Sequence, residues 1–143
     1  MSTWLDSRAS QNASYGSSIA IAIPTSGSLQ LVAQQTLNLA LGTPGSTRVE
    51  FAGTVTFQQP SSPVNAMVTI YVMRGLTSGG VVVFSLSEQI LAAQTGPRAV
   101  SFNGSDFGAP VSASAAYSVF ATSSVAGMLR VGPESFNFSG YSN

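Results

Sequence analysis

Apolar side chains recur at every second position through much of this chain, a period that predicts β-strands. The clearest case spans residues 47–58, where Val49, Phe51, Gly53, Val55 and Phe57 alternate with Arg48, Glu50, Thr54, Thr56 and Gln58. Such a strand has one buried face and one wet face. Gln59-Pro60-Ser61-Ser62-Pro63 ends it, because two prolines remove donors and fix φ. Residues 66–74 carry Val68, Ile70 and Val72 on one face and Met67, Tyr71 and Met73 on the other. Residues 75–80 then turn the chain into Val81-Val82-Val83-Phe84, again apolar on both sides. The three stretches read as a meander. Strands that are apolar on both faces call for two covers, one being the domain's own core and the other a neighbouring subunit.

The same alternation predicts further short strands at residues 18–23 (ended by Pro24), 29–32 and 36–41, the last through Leu37, Leu39 and Leu41. After the meander, residues 88–94 read as a short strand or an irregular crossing. Val100 and Phe102 share one face of a strand over 98–103, and Asn103 to Pro110 reads as a long turn. Residues 115–122 set Tyr117, Val119 and Ala121 against Ala116, Ser118 and Phe120, a second strand suited to cover on both sides. Residues 125–131 and 135–141 complete the pattern, with Phe136 and Phe138 inward. No amphipathic helix is evident. About nine or ten short strands, spaced by roughly 8–12 residues, predict an all-β jelly-roll β-sandwich of antiparallel strands.

Residues 1–16 stand apart as a polar segment rich in Ser, Asn and Gln that nevertheless carries Trp4, Leu5 and Tyr15. Its composition fits a flexible N-terminal arm. Such an arm is either a disordered tail or a connector that folds on a partner, the reading its aromatic residues favour. The organisation expected is therefore a connector at 1–16 followed by a jelly-roll domain at 17–143.

Charge narrows the functional classes. Only 7% of the 143 residues are charged, and five arginines balance five acids, without lysine. A net charge of zero favours self-association. Five scattered arginines supply neither a nucleic-acid groove nor a patch for an anionic membrane. No apolar run is long enough to span a bilayer as a helix. The N-terminus opens on an initiator Met and lacks the basic and apolar regions of a secretory signal, so assembly without a signal peptide is expected.

Histidine, cysteine and lysine are all absent, which removes triads, thiol nucleophiles, Schiff bases and ordinary transition-metal sites. Carboxylate-pair chemistry has only Asp6, Glu50, Glu88, Asp106 and Glu134 to draw on, all far apart in sequence. An enzyme is not expected, nor is a metal or cofactor. Asn103-Gly104-Ser105-Asp106 offers a calcium site one carboxylate, and a turn is the simpler reading. Tyr71, Tyr117, Tyr141 or Trp4 could stack on a sugar, although aromatics at alternating positions more often belong to a core or an interface.

Several strands also carry a family resemblance. Val49-Glu50-Phe51-Ala52-Gly53-Thr54-Val55, Val68-Thr69-Ile70-Tyr71-Val72-Met73-Arg74-Gly75, Val83-Phe84-Ser85, Val100-Ser101-Phe102 with Asp106, Tyr117-Ser118-Val119, and Val131-Gly132-Pro133-Glu134-Ser135-Phe136 resemble the tumour-necrosis-factor-like jelly rolls of bacterial spore surfaces. The resemblance covers roughly residues 47–141 and lies in strand spacing and small motifs. It implies a homotrimer of the kind found in exosporium proteins and endospore appendage fibres. With it, the chain is expected to be a structural, self-assembling subunit of a spore-surface or appendage fibre. Trimerisation is expected through Met67, Tyr71, Met73 and Tyr117, and inter-trimer connection through Trp4, Leu5 and Tyr15. Its partners would be further copies of itself and an anchoring surface protein. The alternatives are a phage capsid, decoration or tail-fibre protein in a virion, and a glycan-binding jelly-roll module.

Overall fold

Residues 47–58 do form one long strand, and it is the axis of the larger sheet. The structure, a computed structural model, describes residues 1–25 and 27–143. Among these residues ten strands follow in chain order: β1 (Thr3–Ala13), β2 (Ile21–Ala22), β3 (Gln30–Leu37), β4 (Thr47–Gln58), β5 (Ala66–Arg74), β6 (Val81–Ile90), β7 (Arg98–Asp106), β8 (Ala115–Ser123), β9 (Leu129–Arg130) and β10 (Glu134–Ser142). They pack as two antiparallel layers with no helix among the described residues. One layer runs β1-β10-β4-β7, with β9 and β2 continuing past the end of β10, and the other runs β3-β8-β5-β6. When only the long strands are counted, the layers take the first, eighth, third and sixth against the second, seventh, fourth and fifth. That winding is a jelly roll.

The core lies where the alternation placed it. Val49, Val55 and Phe57 of β4 are fully buried, as are Phe136 and Phe138 of β10, and all face the inner side of the other sheet. Aromatic rings join the layers: Phe51 meets Phe84 of β6 edge-on at 5.7 Å, and Tyr117 of β8 lies 6.2 Å from Phe138. Gly53 leaves room for this packing, since a Cβ there would come within 2.6 Å of the Phe136 ring and 2.7 Å of Phe102.

Several local expectations change. The meander is not one sheet: β4 belongs to the larger layer, while β5 and β6 pair as a hairpin in the other. Residues 59–65 cross between the layers. The buried Gln59 amide holds the crossing by donating to the carbonyls of Val64 (2.8 Å), Ile90 and Leu91. Residues 29–32 and 36–41 are not separate strands, because β3 runs through both patterns with a bulge between Leu31 and Ala33. Asn103 to Asp106 continue β7 instead of turning, since the ladder to β4 extends as far as Val49–Asp106 and outweighs the turn preference of Asn-Gly.

The N-terminal segment also differs. Residues 3–13, expected within a flexible arm, form an eleven-residue edge strand paired with β10 from Thr3–Ser142 to Ala13–Glu134. Polar side chains do not prevent this, because an edge strand is held by its backbone ladder and needs few apolar contacts. Leu5 packs on the core, while Trp4 and Tyr15 remain exposed. Side-chain bonds help to fasten the strand: Asp6 accepts from the Asn38 amide (2.8 Å), Gln35 donates to the Ala9 carbonyl (3.0 Å), and Asn12 donates to the Val32 carbonyl (2.7 Å) and to Glu134 (2.8 Å). The Asn38 bond, chiefly, holds the Asp6 carboxyl below its ordinary range.

Candidate assembly face

The pairing register decides which side chains leave the β3-β8-β5-β6 layer on its outer side. Gln34, Ser118, Met73 and Val82 form one row, and Leu31, Phe120, Tyr71 and Ser85 form the next. Beyond them come Thr122, Thr69 and Ser87, then Met67 beside Gln89. None of these outward positions is charged. Apolar side chains are interspersed among polar ones in these rows, with Leu31 45%, Met67 46% and Val82 50% exposed. Phe120 is the buried centre of its row, flanked by Leu31 and Tyr71. A sheet face of this kind can associate by burying apolar area without desolvating a charge.

The residues expected at a trimer interface divide between the two sides. Met67 and Tyr71 lie on the outer face and are accessible. Met73 shares that face but is only 3% exposed. The following turn is drawn over its end of the sheet: Gln34 donates to the Leu76 carbonyl (2.9 Å) and Ser118 to the Gly75 carbonyl (2.7 Å). Tyr117 points the other way and is fully buried, so an interface role for it gives way to a core role. Alternation alone hides this distinction, because β8 is buried on both faces within a single chain.

Tyr117 instead belongs to a polar staple that joins the layers. Its hydroxyl donates to Asp106 (2.7 Å), Arg74 donates to both Asp106 oxygens (2.8 and 2.7 Å), and the Gly108 amide donates as well (2.9 Å). Burial by itself would raise the Asp106 carboxyl, but Arg74, Tyr117 and Gly108 outweigh it and hold it below the ordinary carboxylate range. Burial and then the hydrogen bond to Asp106 push the Tyr117 hydroxyl up. With these donors in place, the oxygens considered for calcium are committed to the protein itself.

The same holds for every charge in the chain. The five acids pair one to one with the five arginines: Asp6–Arg8, Glu50–Arg48, Asp106–Arg74, Glu88–Arg98 and Glu134–Arg130. The last pair is almost wholly buried, and Arg130 donates further to Gln30 (2.9 Å). Among the described residues no cluster of three or more metal-ligating side chains exists.

Fold and face together define a jelly-roll β-sandwich with one uncharged outer sheet. No protein-family model matches the chain, and no curated protein matches it either. Solved structures do match. The VP2 subviral particle protein of infectious bursal disease virus is 12% identical with a TM-score of 0.51, over 96% of this chain and 37% of VP2. Dimeric latent PorU from Porphyromonas gingivalis is 10% identical with a TM-score of 0.53, over 98% of this chain and 13% of PorU. A chain from Bacillus endospore appendages, described as disulfide-linked pili, is 8% identical with a TM-score of 0.39, over 99% of this chain and 90% of that one. This chain spans little more than a third of VP2 and a smaller part of PorU. The likeness to both is one of fold.

Proposed function

We propose that this protein is a structural subunit that assembles with copies of itself and performs no catalysis. The observation that carries the reading is the uncharged, partly apolar outer face of the β3-β8-β5-β6 sheet. The one-to-one pairing of every side-chain carboxylate with an arginine is consistent with it. In VP2 the same fold builds a subviral particle. The assembly proposed is a homotrimer with Met67 and Tyr71 in its interface. The motif resemblance to spore-surface jelly rolls makes an exosporium layer or appendage fibre its setting, anchored by a further surface protein.

Connection between trimers is assigned to residues 1–16, with Trp4, Leu5 and Tyr15 as contacts. Because the segment forms an edge strand, the connection takes the form of strand exchange, with β1 of one copy pairing with β10 of the next. The exchanged ladder repeats the contacts made within one chain, so its cost is mainly that of ordering the 14–20 linker in a new path.

Electron microscopy and light scattering of the purified protein test the proposal. Trimers that join into filaments or layers are expected. Tyr71→Asp and Met67→Asp should give folded monomers, and a wild-type protein that stays monomeric at micromolar concentration would refute the assembly reading. Closed shells would favour a virion protein instead.

A further inference from the structure

We propose that the opposite outer face, on the β1-β10-β4-β7 sheet, binds a neutral oligosaccharide. The proposal is independent of the trimer contact, which uses the other sheet. Register places Asn137, Ala52 and Asn103 in one row across β10, β4 and β7, and Ser139, Glu50 and Ser105 in the next. Ala52 projects only a methyl between two asparagines, so the sheet surface dips there. The resulting depression has a volume of about 380 Å³, with Tyr141 among the residues lining it.

Some polar side chains of this face satisfy one another. Thr54 bonds Ser101 (2.9 Å), and Ser7 bonds Ser139 (2.9 Å). In the depression Ser139 is thus engaged, while among the described residues the Asn103 and Asn137 amides and the Ser105 hydroxyl bond no other protein group, and all three can both donate and accept. Arg48 lies 4.9 Å over the Tyr141 ring and donates to Glu50 at 2.8 Å, so it fixes the ring and neutralises the only carboxylate nearby.

This arrangement selects a ligand class. The two planar amides can each donate to and accept from sugar hydroxyls, and Tyr141 borders the depression. Mutual pairing of Arg48 and Glu50 leaves little to attract a phosphate or a cation. A peptide cannot add as a strand along the floor of the depression, because β4 already pairs on both sides with β10 and β7. A neutral, polyhydroxylated chain remains.

The test is an NMR titration of the full chain with neutral trisaccharides of glucose, galactose and N-acetylglucosamine. At least one should shift resonances at Ala52, Asn103, Asn137 and Tyr141. Asn103→Ala and Asn137→Ala should each weaken binding by about threefold to tenfold, the effect of a lost hydrogen bond. Ala52→Gln should fill the dip and abolish binding while the circular dichroism spectrum stays unchanged. Tyr71→Asp, which removes the trimer contact, should leave binding intact, so failure of the trimer reading would not be confused with failure of this one. Three results would overturn the proposal: no shift with any sugar at roughly ten millimolar, well above the Kd range of useful recognition; shifts that survive Ala52→Gln; or binding that disappears on assembly, which would make this face a contact between copies.

Discussion

At the scale of single residues, the charges are paired throughout, and the two best-buried pairs, Arg74–Asp106 and Arg130–Glu134, lie within the fold. The Arg74–Asp106–Tyr117 staple joins β5 and β8 of one layer to β7 of the other. Asp106→Asn should lower stability by roughly 2–4 kcal/mol, since it strands a partly buried guanidinium; the exposed part of Arg74 keeps the loss below that of a fully enclosed pair. Tyr117→Phe removes one bond and should cost about 1–2 kcal/mol. The pH dependence follows from the depressed Asp106 value. Its stabilising contribution is present above the ordinary carboxylate value of 3.8 and is lost as pH falls through the lower folded value. Thermal melts between neutral and strongly acid pH should therefore fall more steeply for the wild type than for Asp106→Asn; parallel curves would remove the staple's part in acid stability. Gly53→Ala tests packing, because its methyl would meet two core rings, and a loss of about 1–3 kcal/mol is expected.

At the scale of elements, β1 decides how the molecule ends and how it could join another. Its side chains are mostly exposed, so the backbone ladder to β10 and the Asp6 and Asn12 bonds hold it. Asn12→Ala should raise amide exchange along β1 before the core strands respond, and uniform protection in that variant would argue against a separable strand. Deleting residues 2–15 should leave trimers that do not elongate, and Trp4→Ala should weaken elongation; microscopy showing filaments of normal length would end the connector role. The strand itself was hard to see in the sequence, because an edge strand needs no apolar stripe. Strands β4, β8 and β10 were legible, since Val49 to Phe57, Tyr117 to Ala121 and Phe136 to Phe138 alternate against a dense core. Boundaries at β3 and β7 were not, because a bulge and a turn dipeptide mimic strand ends.

At the scale of the whole molecule, the two outer faces differ in kind. One is uncharged and partly apolar, and the other carries small polar groups and the Arg48–Glu50 pair around a shallow depression. Association through the first face should be insensitive to added sodium chloride, since there are no charges on it to screen, and sulfate should strengthen it. Sedimentation at low and high salt checks this, and dissociation at high salt would point to an interface made by the ion pairs. The melting temperature should not change on adding chelator, since the acids are engaged by arginines.

Period-two alternation and the absence of helix signals determined the class of fold, the inward residues of β4, β7 and β10, and the near-neutral surface suited to assembly. These are local properties, because each strand must show one face to a core whichever sheet it joins. Only the tertiary structure decided which sheet that was. The crossing at Gln59 separates β4 from β5, so Met67 and Tyr71 share a face with Leu31 and Phe120 and not with Phe51. Tyr117 faces inward for the same reason: the register of β8 against β5 sets it beside Arg74, with Asp106 opposite, and no pattern within residues 115–122 contains that information.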